Sequence, residues 1–192
     1  MRRLARAAML VFFAMAPAMA EPMPMPKVDY EGDWKMDPAN GVSAARIHYS
    51  AARNAFRIDM TTQGGQASVV RDMVSGDMLM WGAMSQGMAM KLNTPNRIPE
   101  GDPTGETEQV DGVSCDIWQG SQVRVCVDED NIPLSATANG TAVRLLNVER
   151  KEQPAALFEL PAGVQLMELP PAMMKQMEKM NGGMPGKNAL PF

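Results

Sequence analysis

Three features of the sequence predict an all-β, mainly antiparallel fold. Apolar and polar residues alternate with period two through much of residues 30–148. Turn-forming residues interrupt that alternation at short, even intervals. The three-and-four spacing of an amphipathic helix occurs clearly only once, near the C-terminus.

The chain opens with Arg2, Arg3 and Arg6, an apolar run from Ala7 to Ala16, and the small-x-small tripeptide Ala18-Met19-Ala20. That is the order of a secretory signal peptide cleaved after Ala20. The apolar run is shorter than the roughly 20 residues a membrane-spanning helix needs. Residues 1–20 are therefore expected to be removed and the mature protein to be periplasmic, and no later segment is apolar enough to span a membrane as a helix. Residues 21–29 follow as a leader in which Pro22, Pro24 and Pro26 alternate with Met23 and Met25. Alternate prolines remove backbone donors and exclude helix, so the leader is expected to be extended.

Residues 30–170 are expected to form the β domain. Ala45, Ile47 and Tyr49 alternate with Arg46 and His48, and Phe56, Ile58 and Met60 with Arg57, Asp59 and Thr61. Each apolar set falls on one face of a half-buried strand. Further strands are predicted at residues 66–73, 77–82, 86–92, 113–119, 122–128, 132–138 and 142–149. Turn signals at Gly64-Gly65, Ser75-Gly76-Asp77, Asp111-Gly112, Gly120-Ser121 and Asn139-Gly140 separate many of them. Such a series closes as a sandwich, a barrel or a half-barrel. Residues 93–106, polar and rich in Pro, Gly and Asn, read as a loop. Residues 171–192 differ. Met173, Met177 and Met180 fall on one side of a short helix from Ala172 to Met180, which Asn181-Gly182-Gly183 ends, and the tail from Met184 to Phe192 is expected to be disordered.

Charge excludes some partners. The first twenty residues carry three of the 18 basic residues and none of the 22 acidic ones, so residues 21–192 have a net charge of −7. An acidic chain without a basic cluster is a poor ligand for nucleic acid or for an anionic membrane surface.

No catalytic constellation is legible. His48 is the single histidine, and no Ser-His-Asp set, His-rich metal motif or phosphate-binding glycine loop occurs. Asp128, Glu129 and Asp130 form a tight acidic run without the alternating ligand spacing of a calcium loop, and read as a solvated turn. An enzyme is therefore not expected, and no cofactor or metal is implied.

Methionine is the compositional outlier, with 20 in the chain. Met78 and Met80 share one face of a predicted strand, and Met88 and Met90 share one face of the next. Paired as a hairpin, the four would sit together. Soft thioether sulfur selects copper(I), but methionine also serves as a flexible filler of apolar faces. Both readings stay open, and the spread of methionines along the whole chain favours the second.

Cys115 and Cys126 are the only cysteines, and in an oxidising compartment they read as a disulfide. A two-residue turn at Gly120-Ser121 would place Gln119 opposite Gln122 and Cys115 opposite Cys126, at a spacing that suits the bond. The same register sets Ile117 against Arg124, so a bulge could shift it.

Several segments resemble, in order, the bacterial family known as domain of unknown function 4412. They are Arg46-Ile47-His48-Tyr49, Phe56-Arg57-Ile58-Asp59-Met60, Ser68-Val69-Val70-Arg71-Asp72, Met78-Leu79-Met80-Trp81 and Met88-Ala89-Met90. Glu108 to Cys115 is similar to that family's Val-Asp-Gly-x-x-Cys turn, Asp128 to Leu134 to the segment after its next strand, and Leu157 to Gly163 to its Phe-x-x-Pro-x-Gly ending. The resemblance spans about residues 30–170. It implies an architecture similar to the periplasmic lipoprotein carriers: a curved half-barrel sheet, here with a short C-terminal helix, closed on its concave side by helix or loop. Those carriers hold acyl chains in the concavity. This chain departs from the pattern in having only one clear helix and in carrying Cys126. No functional residue is carried over.

The expected function is a soluble periplasmic binding or chaperone-like protein. Its apolar concavity, lined by Met78, Met80, Met88, Met90, Met173 and Met177, would take a lipid, a lipidated peptide or another hydrophobic ligand. The alternatives are a methionine-rich copper(I)-binding envelope protein and a structural envelope component without a small ligand.

Overall fold

The computed structural model describes residues 21–36, 42–85, 87–93, 98–138 and 140–168. Where the sequence alternates, strands form: β1 (Glu21–Pro22), β2 (Tyr30–Met36), β3 (Val42–Ser50), β4 (Ala55–Thr62), β5 (Gly65–Asp72), β6 (Asp77–Gly82), β7 (Met88–Asn93), β8 (Glu100–Val110), β9 (Val113–Gln119), β10 (Val123–Val127), β11 (Pro133–Ala138), β12 (Thr141–Arg150) and β13 (Gln165–Glu168). All belong to one sheet, ordered β1-β8-β9-β10-β11-β12-β2-β3-β4-β5-β6-β7-β13. Two antiparallel meanders, β2 to β7 and β8 to β12, are joined by the antiparallel pairing of β12 with β2. The short β1 adds to the β8 edge, and β13 adds to the β7 edge in parallel. Among the described residues the two edges do not pair, so the sheet is curved but unclosed.

Curvature follows from what shares a cleft. Phe56 and Met73, at β4 and just after β5, face the same cleft as Val125 and Val127 of β10. Five strand-to-strand steps separate β4 from β10 in the sheet, about 24 Å if it were flat. The sheet therefore curls around this face, which is the concave one.

Cross-strand partners cross the concave face in rows. One runs Tyr30, Tyr49, Phe56, Arg71, Met78 and Leu92. The next runs Ile47, Ile58, Val69, Met80, Met90 and Met167. The aromatic start of the first row is well packed, with ring centroids 5.6 Å apart for Tyr30–Tyr49 and 4.6 Å for Tyr49–Phe56. These rings join Trp34, Ile47, Ile58, Leu134 and Leu145 in the main core.

The Asp111-Gly112 signal is a two-residue hairpin turn. Both residues have positive φ, 52° and 78°, and Val110 pairs with Val113 across it, the type I′ requirement. Residues 93–106 are not one loop as expected, because β8 begins at Glu100. Its side chains are almost all polar and exposed. What holds the strand is its hydrogen-bonded ladder to β9 and β1, with a register shift between Pro103 and Thr107, and such a strand carries no apolar period to read.

The expected cysteine register is corrected by two residues. Arg124 pairs with Gln119 and Cys126 with Ile117, so the turn takes four residues rather than two. The shift puts Arg124 beside polar Gln119 at the strand end and gives Ile117 a buried partner. The disulfide forms nonetheless, with Cα atoms 5.3 Å apart. Asp128 is corrected as well. Its carboxylate is buried rather than solvated, accepts from the backbone N–H of Asp130 and Ile132 at 3.0 and 2.8 Å, and pairs with Arg150. The acidic run is a turn-capping device. The predicted helix at 172–180 and the leader sequence 1–20 lie outside the described residues.

The segment from 151 to 164 crosses the convex face from β12 to β13. Phe158 buries itself against Ala55 and Val70, and Leu157 packs beside Leu79 and Trp81. Arg57 donates to the Leu157 carbonyl at 2.8 Å, and Gln153 bonds His48 at 3.0 Å.

Candidate functional site: a methionine-lined concave face

The β6–β7 hairpin brings the four predicted methionines to one face. Met80 lies directly opposite Met90, Met78 lies opposite Leu92, and Met88 shares the face of Met90 two residues away. Parallel pairing of β13 adds Met167 opposite Met90, a residue that sequence reasoning missed. Nothing in a four-residue run predicts a parallel edge strand. Met60 joins the same face one row over, beside the small residues Ala67 and Gly82. Met173 and Met177, the other two predicted lining residues, lie outside the described residues.

Burial falls along the row. Ile47 is 0% exposed, Ile58 5% and Val69 6%, whereas Met80 and Met90 are half-buried and Met167 is 38% exposed. Past β5, the concave face is apolar in composition; Leu92 stays buried at 4% exposure, while Met78, Met80, Met88, Met90 and Met167 are partly open to solvent. Methionine suits such a face because its unbranched thioether repacks around contacts of varied shape.

The other end of the concavity is covered by the Pro/Met leader. Met23 N–H donates to the Pro99 carbonyl at 2.8 Å, Lys27 N–H to the Asp130 carbonyl at 2.9 Å, and Asn131 Nδ2 to the Met25 carbonyl at 3.1 Å. These bonds strap residues 23–27 over the cleft that Phe56, Met73, Ile98, Val125 and Val127 line. The prolines allow this. They hold the strap extended and have no N–H left to satisfy.

One polar side chain interrupts the apolar rows. Arg71 stands between Phe56 and Met78. It is half-buried, burial lowers its pKa, and its Nε has no hydrogen-bond partner. The other buried side-chain atom without a partner among the described residues is Tyr30 Oη, in the same row. Period two counted from Val69 puts Arg71 on the apolar face, so the signal was present in the sequence. The doubled Val69-Val70 hid it by leaving the phase ambiguous.

The convex face carries the charge. The Glu31 carboxylate pairs with Arg46 and Lys151, and with His48 Nδ1 at 3.3 Å. Burial works against its ionisation, but hydrogen bonds from Lys151 and Arg46 outweigh that and hold its pKa at about 2. Ser68 donates to Asp59 at 2.6 Å and so is committed to a carboxylate rather than to His48, which is not the arrangement that activates a nucleophile. The network ties β2, β3 and β4 to the crossing segment. Among the described residues no group of three or more His, Cys, Asp or Glu side chains is placed to hold a metal ion, and no helix is long and apolar enough to cross a membrane.

No family model matches the chain, and no curated protein matches it. Among solved structures, an uncharacterized conserved protein from Thermus thermophilus is similar, with a TM-score of 0.57 at 10% identity over 74% of this chain and 91% of that one. Two structures of PNGF-II align with TM-scores of 0.49 and 0.41 at 14% and 15% identity, each over 78% of this chain. The chain spans about a third of their length, 32% and 33%. At 10% identity the Thermus likeness is one of fold, and fold leaves function to be argued from the site.

Proposed function

We propose that this is an exported, periplasmic binding or chaperone-like protein that presents the methionine end of its concave face to a lipid, a lipidated peptide or another hydrophobic group. The single observation that carries the reading is the fall in burial along the row from Ile47 to Met167. An apolar row that leaves the core and stays open is a surface suited to a ligand. The sequence resemblance to domain of unknown function 4412, which implies a half-barrel similar to the lipoprotein carriers, supports the same reading. Displacement of a fluorescent fatty acid from the exported protein tests it. Micromolar, saturable uptake is expected, and absence of uptake by folded protein overturns it. Intact mass of the same sample, expected to begin at Glu21, tests export.

A copper(I) reading rests on a specific feature of the same face. Met80, Met90 and Met167 stand in one row on three neighbouring strands, at a strand spacing of about 4.8 Å. Thioether sulfurs gathered this way suit a soft cation, and copper(I) titration against a chelating competitor separates the two readings.

A further inference from the structure

Arg71 gives the concave face a chemistry that methionine alone lacks. Its register position is fixed on both sides, opposite Phe56 in β4 and opposite Met78 in β6. The row it interrupts is otherwise aromatic or aliphatic: Tyr30, Tyr49, Phe56, Met78 and Leu92. No carboxylate among the described residues forms an ion pair with it, although Arg46, Arg53, Arg57, Arg124 and Arg150 all have acidic partners. Its Nε is buried without a hydrogen bond, and so is the Tyr30 hydroxyl farther along the row. Buried donors without acceptors are rare because each forfeits its hydration. Arg144 also lacks an acidic partner among the described residues, but it is exposed. Arg71 is instead a half-buried guanidinium set into an apolar row, with nothing among the described residues to satisfy it.

We propose that Arg71 anchors the oxyanion headgroup of an amphiphilic ligand whose acyl chain lies along the methionine row. This rests on the proposed concave-face ligand and narrows it to anionic acyl compounds carrying a carboxylate or a phosphate. The geometry suits the task. Arg71 sits where the packed aromatic end of the face gives way to the partly exposed methionines Met78, Met80 and Met90, so a headgroup held there directs the chain toward them. The planar guanidinium can hold either anion through two parallel hydrogen bonds. Low local dielectric strengthens that contact relative to one made in water. A neutral acyl compound would leave the guanidinium unpaired and lose that contribution.

The test compares three single-chain probes below their micelle concentrations: oleate, oleoyl lysophosphatidate and mono-oleoylglycerol. Each competes against a fluorescent fatty acid bound to the full exported chain. The two anions are expected to bind at least tenfold more tightly than the neutral glyceride. Preference for oleate alone identifies a carboxylate as the headgroup, and preference for lysophosphatidate alone a phosphate. R71M, which removes the charge and keeps an apolar side chain, is expected to abolish the preference while leaving mono-oleoylglycerol within twofold of the wild type. R71K is expected to recover part of it. Equal affinity of the wild type for all three probes overturns the proposal and needs no variant. So does an unchanged preference in folded R71M. If no probe binds, the concave-face ligand itself fails. If probes bind without charge preference, only the role of Arg71 does.

Discussion

Cys126 lies opposite Ile117 across the β9–β10 ladder, yet it is bonded to Cys115, two residues farther along β9. Diagonal neighbours on a sheet usually stand about 7–8 Å apart, while these Cα atoms are 5.3 Å apart. The register shift between Cys126 and Val127 coincides with this closeness, as a bulge increases local twist. The bond closes a loop of about a dozen residues, for which chain entropy gives about 2–3 kcal/mol. Replacing both cysteines with alanine is expected to lower stability by that amount in urea denaturation. Alkylation of unreduced, denatured wild type is expected to label neither thiol.

Glu31 is expected to make the protein's stability sensitive to acid. Its folded pKa of about 2 lies below the ordinary 4.5. Its contribution is therefore complete above about pH 4.5 and is lost as pH falls toward 2. E31Q is expected to cost about 1–3 kcal/mol near neutrality, because it cuts charged hydrogen bonds to Arg46 and Lys151. The gap in Tm between wild type and variant should close between pH 4.5 and pH 2. A gap that stays constant through that window would show that Glu31 is not the titrating group.

The methionine hairpin separates packing from metal chemistry. Changing Met78, Met80, Met88 and Met90 together to leucine keeps apolar volume and removes four sulfurs. Thermal stability is expected to change by less than about 1.5 kcal/mol for each swap, since none of the four is fully buried. Fatty-acid uptake is expected to persist and copper(I) binding to be absent or unaltered. Loss of copper(I) binding at unchanged stability would favour the metal reading instead.

Phe158 anchors the crossing segment on the convex face, where it is 6% exposed. F158A is expected to cost about 3 kcal/mol through the transfer and cavity terms. It should also loosen β13, which the crossing segment delivers to the β7 edge. Hydrogen exchange is expected to quicken at Leu166 and Met167 more than at Ile47 or Ile58.

The class of the fold was legible in the residues alone. Period-two alternation around Ile47 and Ile58 can be satisfied only by strands with one buried face, and the Asp111-Gly112 pair demands positive φ at two successive residues. Local pattern also brought Met78, Met80, Met88 and Met90 to one face, because adjacent strands joined by a short connection pair as a hairpin. Pairing of the two cysteines was legible for a similar reason, although the turn length was not. What lies between distant segments emerged only with the folded chain. β8 has no apolar period, since its ladder rather than burial holds it. β13 finds β7 through a crossing segment whose anchors, Gln153 to His48 and Arg57 to Leu157, are about 100 residues apart in sequence. The strap over the cleft comes from residues 23–27, which local reasoning could describe only as extended. Arg71 became visible as an unpaired group only once its neighbours on β4 and β6 were in register, because a missing partner is a property of the packed surroundings and not of the residue.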